Sequence, residues 1–181
     1  MHPTSLENMR LAKTKIPDLG NNITIVDVGG RGTKKIPNRS YQEIFKDVYK
    51  YYYVADINKG PGVTHIMPEQ YKLPFADNSI DLVVSGQTLE HVRNPFKMMA
   101  EIKRIIKPNR YMIIIAPSTG PNHDDVDCWR YMRDSFKAIA EECKIKVIAD
   151  WITDDFEFDK DSYRFPSRRN VWSDHTFIGQ K

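Results

Sequence analysis

Apolar residues recur along the chain with two spacings, and their alternation sets out a strand and helix order. Ile23-Thr-Ile-Val-Asp-Val28 is short, β-branched and followed at once by Gly29-Gly-Arg-Gly32, the pattern of a buried strand entering a tight turn. Tyr41 to Val48 is predicted helical, and Tyr51 to Ala55 forms a second strand ending at Asp56. A strand, turn, helix, strand order favours a parallel unit with a right-handed crossover. Asp81 to Ser85 and Tyr111 to Ala116 are nearly continuous apolar runs, expected of central strands covered on both faces.

Between those runs Asn94 is placed to cap a helix, Pro95 suits its first turn, and Phe96, Met99, Ile102 and Ile106 repeat at helical spacing until Pro108. Lys97, Lys103, Arg104 and Lys107 then form its solvated face. A short N-terminal helix over residues 6–16, capped by Ser5, places Leu6, Met9, Ala12 and Ile16 along one side. Arg133 to Cys143 reads as a helix, Ile145 to Trp151 as a strand and Val171 to Gly179 as a closing strand. Residues 153–170 read as an insertion before that last strand, because Phe156, Phe158, Tyr163 and Phe165 give it apolar surface to bury.

Composition narrows the function classes. At 181 residues, 40% of them hydrophobic, the chain is expected to form a single domain over residues 1–181. A net charge of +3, with bases scattered among nearly as many acids, gives no stripe suited to nucleic acid. Cys128 and Cys143 have neither metal-ligand spacing nor a disulfide framework, and two reduced thiols are expected. The first ten residues lack an apolar leader segment and no run is long enough to span a bilayer, so a cytoplasmic protein without membrane insertion is expected. The 153–170 insertion is the place to look for a homo-oligomer interface.

The chemistry starts at the glycine turn, which lets backbone approach a ligand closely. Asp56, at the end of the second strand, stands where an acid grips a ribose diol. A dinucleotide and S-adenosylmethionine both fit these two features, and a plain tight turn would show the first of them. The middle of the chain decides between them. Leu73-Pro-Phe75, Asp81-Leu-Val-Val-Ser85, Leu89-Glu-His-Val92 and Glu101-Ile-Lys-Arg-Ile-Ile-Lys-Pro108 occur in order. This set resembles the class I S-adenosylmethionine-dependent methyltransferases of the small-molecule group, over roughly residues 23–118.

The resemblance implies an α/β Rossmann-like fold: a seven-stranded, mostly parallel sheet with helices on both faces and an antiparallel last strand. It implies S-adenosylmethionine as cofactor, with Asp27, Gly29, Gly30 and Gly32 in the cradling motif. It also implies Asp56 on the ribose hydroxyls, Ile57 against the adenine, Glu69 facing the adenine amino group, and Ser85 to Gln87 near the sulfonium. This sequence departs from the motif in two ways. The second and third glycines of D-x-G-x-G-x-G fall on Arg31 and Thr33, and Glu69 replaces the usual Asp.

The stretch from Pro117 to Tyr131 is similar to the VDCWR loop of methyltransferases associated with surface polysaccharide biosynthesis. Its Trp129 and Arg130 suit a small polar acceptor, because aromatic faces stack on rings and guanidinium grips oxyanions. Where the acceptor is a hydroxyl its proton must leave, and His123 and His91 are the candidate general bases. Asp124, Asp125 and Asp127 match no metal-loop spacing, and no metal is expected. His65, His175 and the tyrosines 49, 51, 52 and 53 are assigned to packing. Two other classes stay open: a noncatalytic S-adenosylmethionine-binding subunit that needs a partner chain, and an NAD-dependent oxidoreductase.

Overall fold

The computed structural model describes residues 3–32, 41–154 and 172–181. Helix α1 (Pro3–Lys15) leads into β1 (Ile23–Val28), β2 (Tyr49–Asp56), β3 (His65–Ile66) and β4 (Ile80–Gly86). Helix α2 (Pro95–Ile105), β5 (Ile106–Thr119), α3 (Ser135–Glu142), β6 (Lys146–Asp154) and β7 (Ser173–Gln180) complete the order. The strands form one seven-stranded sheet in the order β3-β2-β1-β4-β5-β7-β6. Pairing is parallel from β3 through β5, whereas β7 runs antiparallel to both β5 and β6. The expected α/β sheet with an antiparallel last strand is therefore present.

Two apolar layers sandwich it. Met98, Met99 and Ile102 of α2 and Phe136 and Ile139 of α3 pack on Val26, Val83, Met112 and Ile114. On the opposite face Met9, Ala12 and Ile16 meet Ile25, Leu82, Val84 and Ile113. Adjacent positions of β4, Leu82 and Val83, thus enter different layers, as the two-residue period of a strand requires. This is why the apolar run is unbroken.

Asn94 caps α2 by accepting the Lys97 N–H at 3.0 Å, with Pro95 at the first helical position, as the sequence predicts. Three expectations are corrected. Ser5 lies inside α1, buried, and bonds the Tyr41 hydroxyl at 2.7 Å instead of capping. The predicted helix over 41–48 shrinks to a 3-10 turn at Gln42–Phe45, because the Tyr41 N–H is tied to Asp27 and the Val48 carbonyl already accepts the Ile23 N–H. Strand β5 begins at Ile106, ahead of Tyr111. Ile106 pairs with Ile80 and the ladder shifts register before Tyr111 meets Leu82, a kink that Asn109 accommodates at φ +62°. Thr33 and the aromatic residues Phe156, Phe158, Tyr163 and Phe165 lie outside the described residues.

Candidate active site

The carboxyl ends of β1, β2, β4 and β5 open on one edge of the sheet, where the strand order reverses and where open α/β sheets bind ligands. Gly29 leaves β1 at φ +78°, and a Cβ there would lie 2.2 Å from Thr88 Oγ1, so only glycine fits. A Cβ on Gly30 would lie 2.6 Å from the Asp27 carboxyl carbon, so this turn sits directly on that carboxylate. The Gly32 N–H donates to Pro61 O at 2.9 Å, docking the turn on the loop after β2.

Asp27 is fully buried. Its Oδ2 accepts the Tyr52 hydroxyl at 2.9 Å and the Tyr41 N–H at 3.2 Å, while Oδ1 has no hydrogen-bond partner among the described residues. Burial pushes its pKa up to about 7, although both of those bonds favour the ionised form. A buried acceptor left open beneath a glycine turn suits a cationic or N–H donor from a ligand.

Asp56 ends β2, with Oδ1 accepting the Asn58 N–H at 2.8 Å and lying 3.6 Å from Arg31 Nε. Arg31 thus lies beside the acid assigned to the ribose. Its stem fits over Gly60, where a Cβ would lie 2.7 Å from Arg31 Cδ. Ile57, next along, is 49% exposed and offers a flat apolar surface. The Ser85 hydroxyl donates to Val28 O at 2.8 Å, and Gln87, at φ +56°, donates its side-chain N–H to Asp174 at 2.8 Å. Both hold the floor between β1, β4 and β7. Glu69 is exposed on the 69–75 loop, and with Leu73, Phe75, Glu101 and Arg104 it lines a separate hollow of about 530 Å³.

The second part of the site follows β4 and β5. Residues 89–91 form a 3-10 turn that places His91 and Glu90 side by side, and the 120–131 loop brings His123 over them. The two imidazole centroids are 4.9 Å apart. His123 Nδ1 donates to Asp127 Oδ2 at 3.0 Å, and Arg130 holds both oxygens of that carboxylate at 2.5 and 2.7 Å. The Arg130 guanidinium keeps the Asp127 carboxyl well below the usual carboxylate range. Arg130 also donates to the carbonyls of Gly120, Pro121 and Trp129, so its donors are committed to shaping the loop. Trp129 leaves 41% of its surface exposed while its indole N–H is fixed on Val92 O at 2.9 Å.

Glu90 has 0% exposure, neither side-chain oxygen has a hydrogen-bond partner among the described residues, and burial pushes its pKa up to about 8. Sequence reasoning passed over Glu90, Tyr41, Tyr52 and Thr88. Tyr52 was assigned to packing, and nothing in a strand pattern tells which of four tyrosines turns its hydroxyl onto Asp27.

Comparison with known proteins agrees with this architecture. Residues 29–114 match the family model described as Methyltransferase domain. A ubiquinone/menaquinone biosynthesis C-methyltransferase from Burkholderia mallei is 26% identical over 109 residues, covering 60% of this chain and 40% of that protein. The match therefore spans less than half the length of that relative. The YcgJ protein from Bacillus subtilis superposes with a TM-score of 0.71 at 14% identity, covering 99% of both chains. A phosphoethanolamine N-methyltransferase from Haemonchus contortus, solved in complex with S-adenosyl-L-methionine, superposes with a TM-score of 0.65 at 14% identity, covering 96% of this chain and 52% of that one. Residues 29–114 thus resemble a methyltransferase domain, and the chain has the fold of these S-adenosylmethionine-dependent methyltransferase structures.

Proposed function

We propose that the protein transfers the methyl group of S-adenosylmethionine to a small polar acceptor, a sugar hydroxyl of a surface polysaccharide precursor. The observation that supports the cofactor half is Asp27 Oδ1, a buried acceptor without a partner among the described residues, under the Gly29-Gly30 turn and one strand away from Asp56. Asp27 would take the cofactor's ammonium, Asp56 the ribose hydroxyls and Ile57 one face of the adenine. When bound, the cofactor supplies an electrophilic methyl on a sulfonium.

The protein's own work is mainly alignment and exclusion of water. Trp129 provides an exposed ring face for a sugar. His123 and His91 act on the acceptor oxygen, and Asp127, clamped by Arg130, fixes the His123 ring with Nε2 turned away from it. Arg130 works on the acceptor through this clamp. The polysaccharide assignment rests on the similarity of the Val126-to-Tyr131 stretch to the VDCWR loop.

Incubating the protein with S-adenosylmethionine and sugar nucleotides, then weighing the products by mass spectrometry, tests the reading. A gain of one CH₂ on a sugar supports it, and methylation of amines alone would overturn the acceptor. His123→Ala should lower turnover at least about 100-fold with cofactor affinity nearly unchanged. Full turnover in that variant would remove His123 from the chemistry. A second reading, a cofactor-binding subunit that needs a partner, is favoured by Arg31 lying against Asp56. It predicts methyl transfer only after a partner chain is added.

A further inference from the structure

Glu90, His91 and His123 each bring one ligating atom to a common point, all within 4.8 Å of one another. His91 Nδ1 bonds the Val126 carbonyl, which can only accept, so that nitrogen carries the proton and Nε2 keeps its lone pair. His123 Nδ1 donates to the Asp127 carboxylate, which leaves Nε2 as the atom through which this ring would ligate a cation. His91 Nε2 lies 3.6 Å from Glu90 Oε1, beyond hydrogen-bond reach, and among the described residues neither buried Glu90 oxygen has a hydrogen-bond partner. Three side chains that can each supply an electron pair converge here, the Glu90 carboxyl being the buried member, and a cation between them would complete all three.

We infer that Glu90, His91 and His123 bind one divalent transition-metal ion of the zinc type. Two imidazole nitrogens and one carboxylate oxygen match the donor set of catalytic zinc sites, which keep a further position for water or substrate. Ligands on one zinc ion lie about 3.3 Å apart, so the side chains, within 4.8 Å of one another, must close in by up to about 1.5 Å, most readily at His123 on the exposed 120–131 loop. The supporting shell is already built: Asp127 and the Val126 carbonyl orient the two rings through Nδ1, as carboxylates and carbonyls do for zinc-bound histidines. Asp127 is therefore a positioning residue. Mg²⁺ is disfavoured, because it prefers an all-oxygen shell.

Binding of the ion stands independently of methyl transfer. Its role there rests on the proposed function and would replace direct proton uptake by the two histidines: with both rings on the ion, an acceptor hydroxyl entering the open position would lose its proton to water.

The test is calorimetric titration of the chelator-stripped full chain with Zn²⁺, repeated with Co²⁺ while recording visible absorption. Free thiols also bind zinc and the exposed Cys128 lies nearby, so the titration uses a Cys128→Ser, Cys143→Ser background. One equivalent should bind, Co²⁺ should show the intense bands of a four- or five-coordinate site, and Mg²⁺ should not compete. Glu90→Gln and His123→Ala should each weaken Zn²⁺ binding at least tenfold. His123 lies on an exposed loop, so its variant decides the matter even where Glu90→Gln fails to fold. Absence of stoichiometric binding, or binding that survives His123→Ala, would overturn the site. S-adenosylmethionine titrated into the same samples separates the two proposals: zinc without cofactor binding contradicts the methyltransferase reading alone, and cofactor without zinc binding contradicts the metal site alone.

Discussion

Two polar regions flanking this sheet are wired in opposite ways. At the α2 side, Glu101 accepts the Leu73 N–H at 2.6 Å and two Arg104 bonds, at 2.8 and 2.7 Å. Arg104 also reaches Asp77 at 2.6 Å and the Leu73 carbonyl at 3.1 Å. Each of these charges is answered, and the result is a clip that ties the 73–79 loop to the helix. At the carboxyl edge, among the described residues, Asp27 Oδ1, Arg31 Nε and both oxygens of Glu90 are buried and lack a hydrogen-bond partner. A buried polar atom left unsatisfied costs about 1–3 kcal/mol, so such atoms call for something that completes them. The closed region ties a loop to a helix, and the open one is where the proposed ligands would bind.

The sharpest way to break this contrast is Arg104→Ala. It leaves Glu101, which is mostly buried, without its cation, and should cost about 2–3 kcal/mol of stability by denaturant unfolding while cofactor affinity stays within twofold. Loss of cofactor affinity without loss of stability would reverse the assignment of the two regions.

Asp27 gives the reciprocal test. Its folded pKa, about 7, stands above the ordinary carboxylate value, so the folded state holds the proton more tightly than the unfolded chain. The folded protein's advantage from this group is complete below about pH 4 and is lost as pH rises through 7. Removing it by Asp27→Asn should flatten the stability profile between pH 5 and 8 by about 1–2 kcal/mol. A slope as steep as in the parent protein would mean that Asp27 is ionised in the fold.

The smallest effect belongs to Arg31. Without its guanidinium beside Asp56, Arg31→Gly should bind S-adenosylmethionine a few-fold more tightly, at most about 1 kcal/mol, with the gain shrinking in high salt. Weaker binding would make Arg31 a cofactor ligand.

The sheet was legible because β4 and β5 feed two apolar layers and so read as unbroken apolar runs, and because Asn94 and Pro95 mark the start of α2 by local chemistry. The 3-10 turn at Gln42–Phe45 was not legible, since what shortens it is the Asp27 carboxylate, a contact across fourteen positions. Backbone placement was legible where a motif fixes it, as for the turn at Gly29 and for Asp56 at the end of β2. The site was opaque where function depends on the direction of one side chain. Tyr52 looked like its neighbours, Arg130 looked like a substrate grip but is committed to Asp127, and Glu90 was hidden beside the more conspicuous His91. An orphan atom has no signature in sequence because it is defined by what the fold fails to place near it.

The most direct test of the open edge is calorimetric titration of S-adenosylmethionine into the folded protein and into Asp56→Ala. The account predicts saturable one-to-one binding that the substitution weakens by roughly 2–3 kcal/mol, the worth of charge-assisted bonds to the ribose. Equal affinity in the two proteins, or no binding to the folded parent, would contradict it.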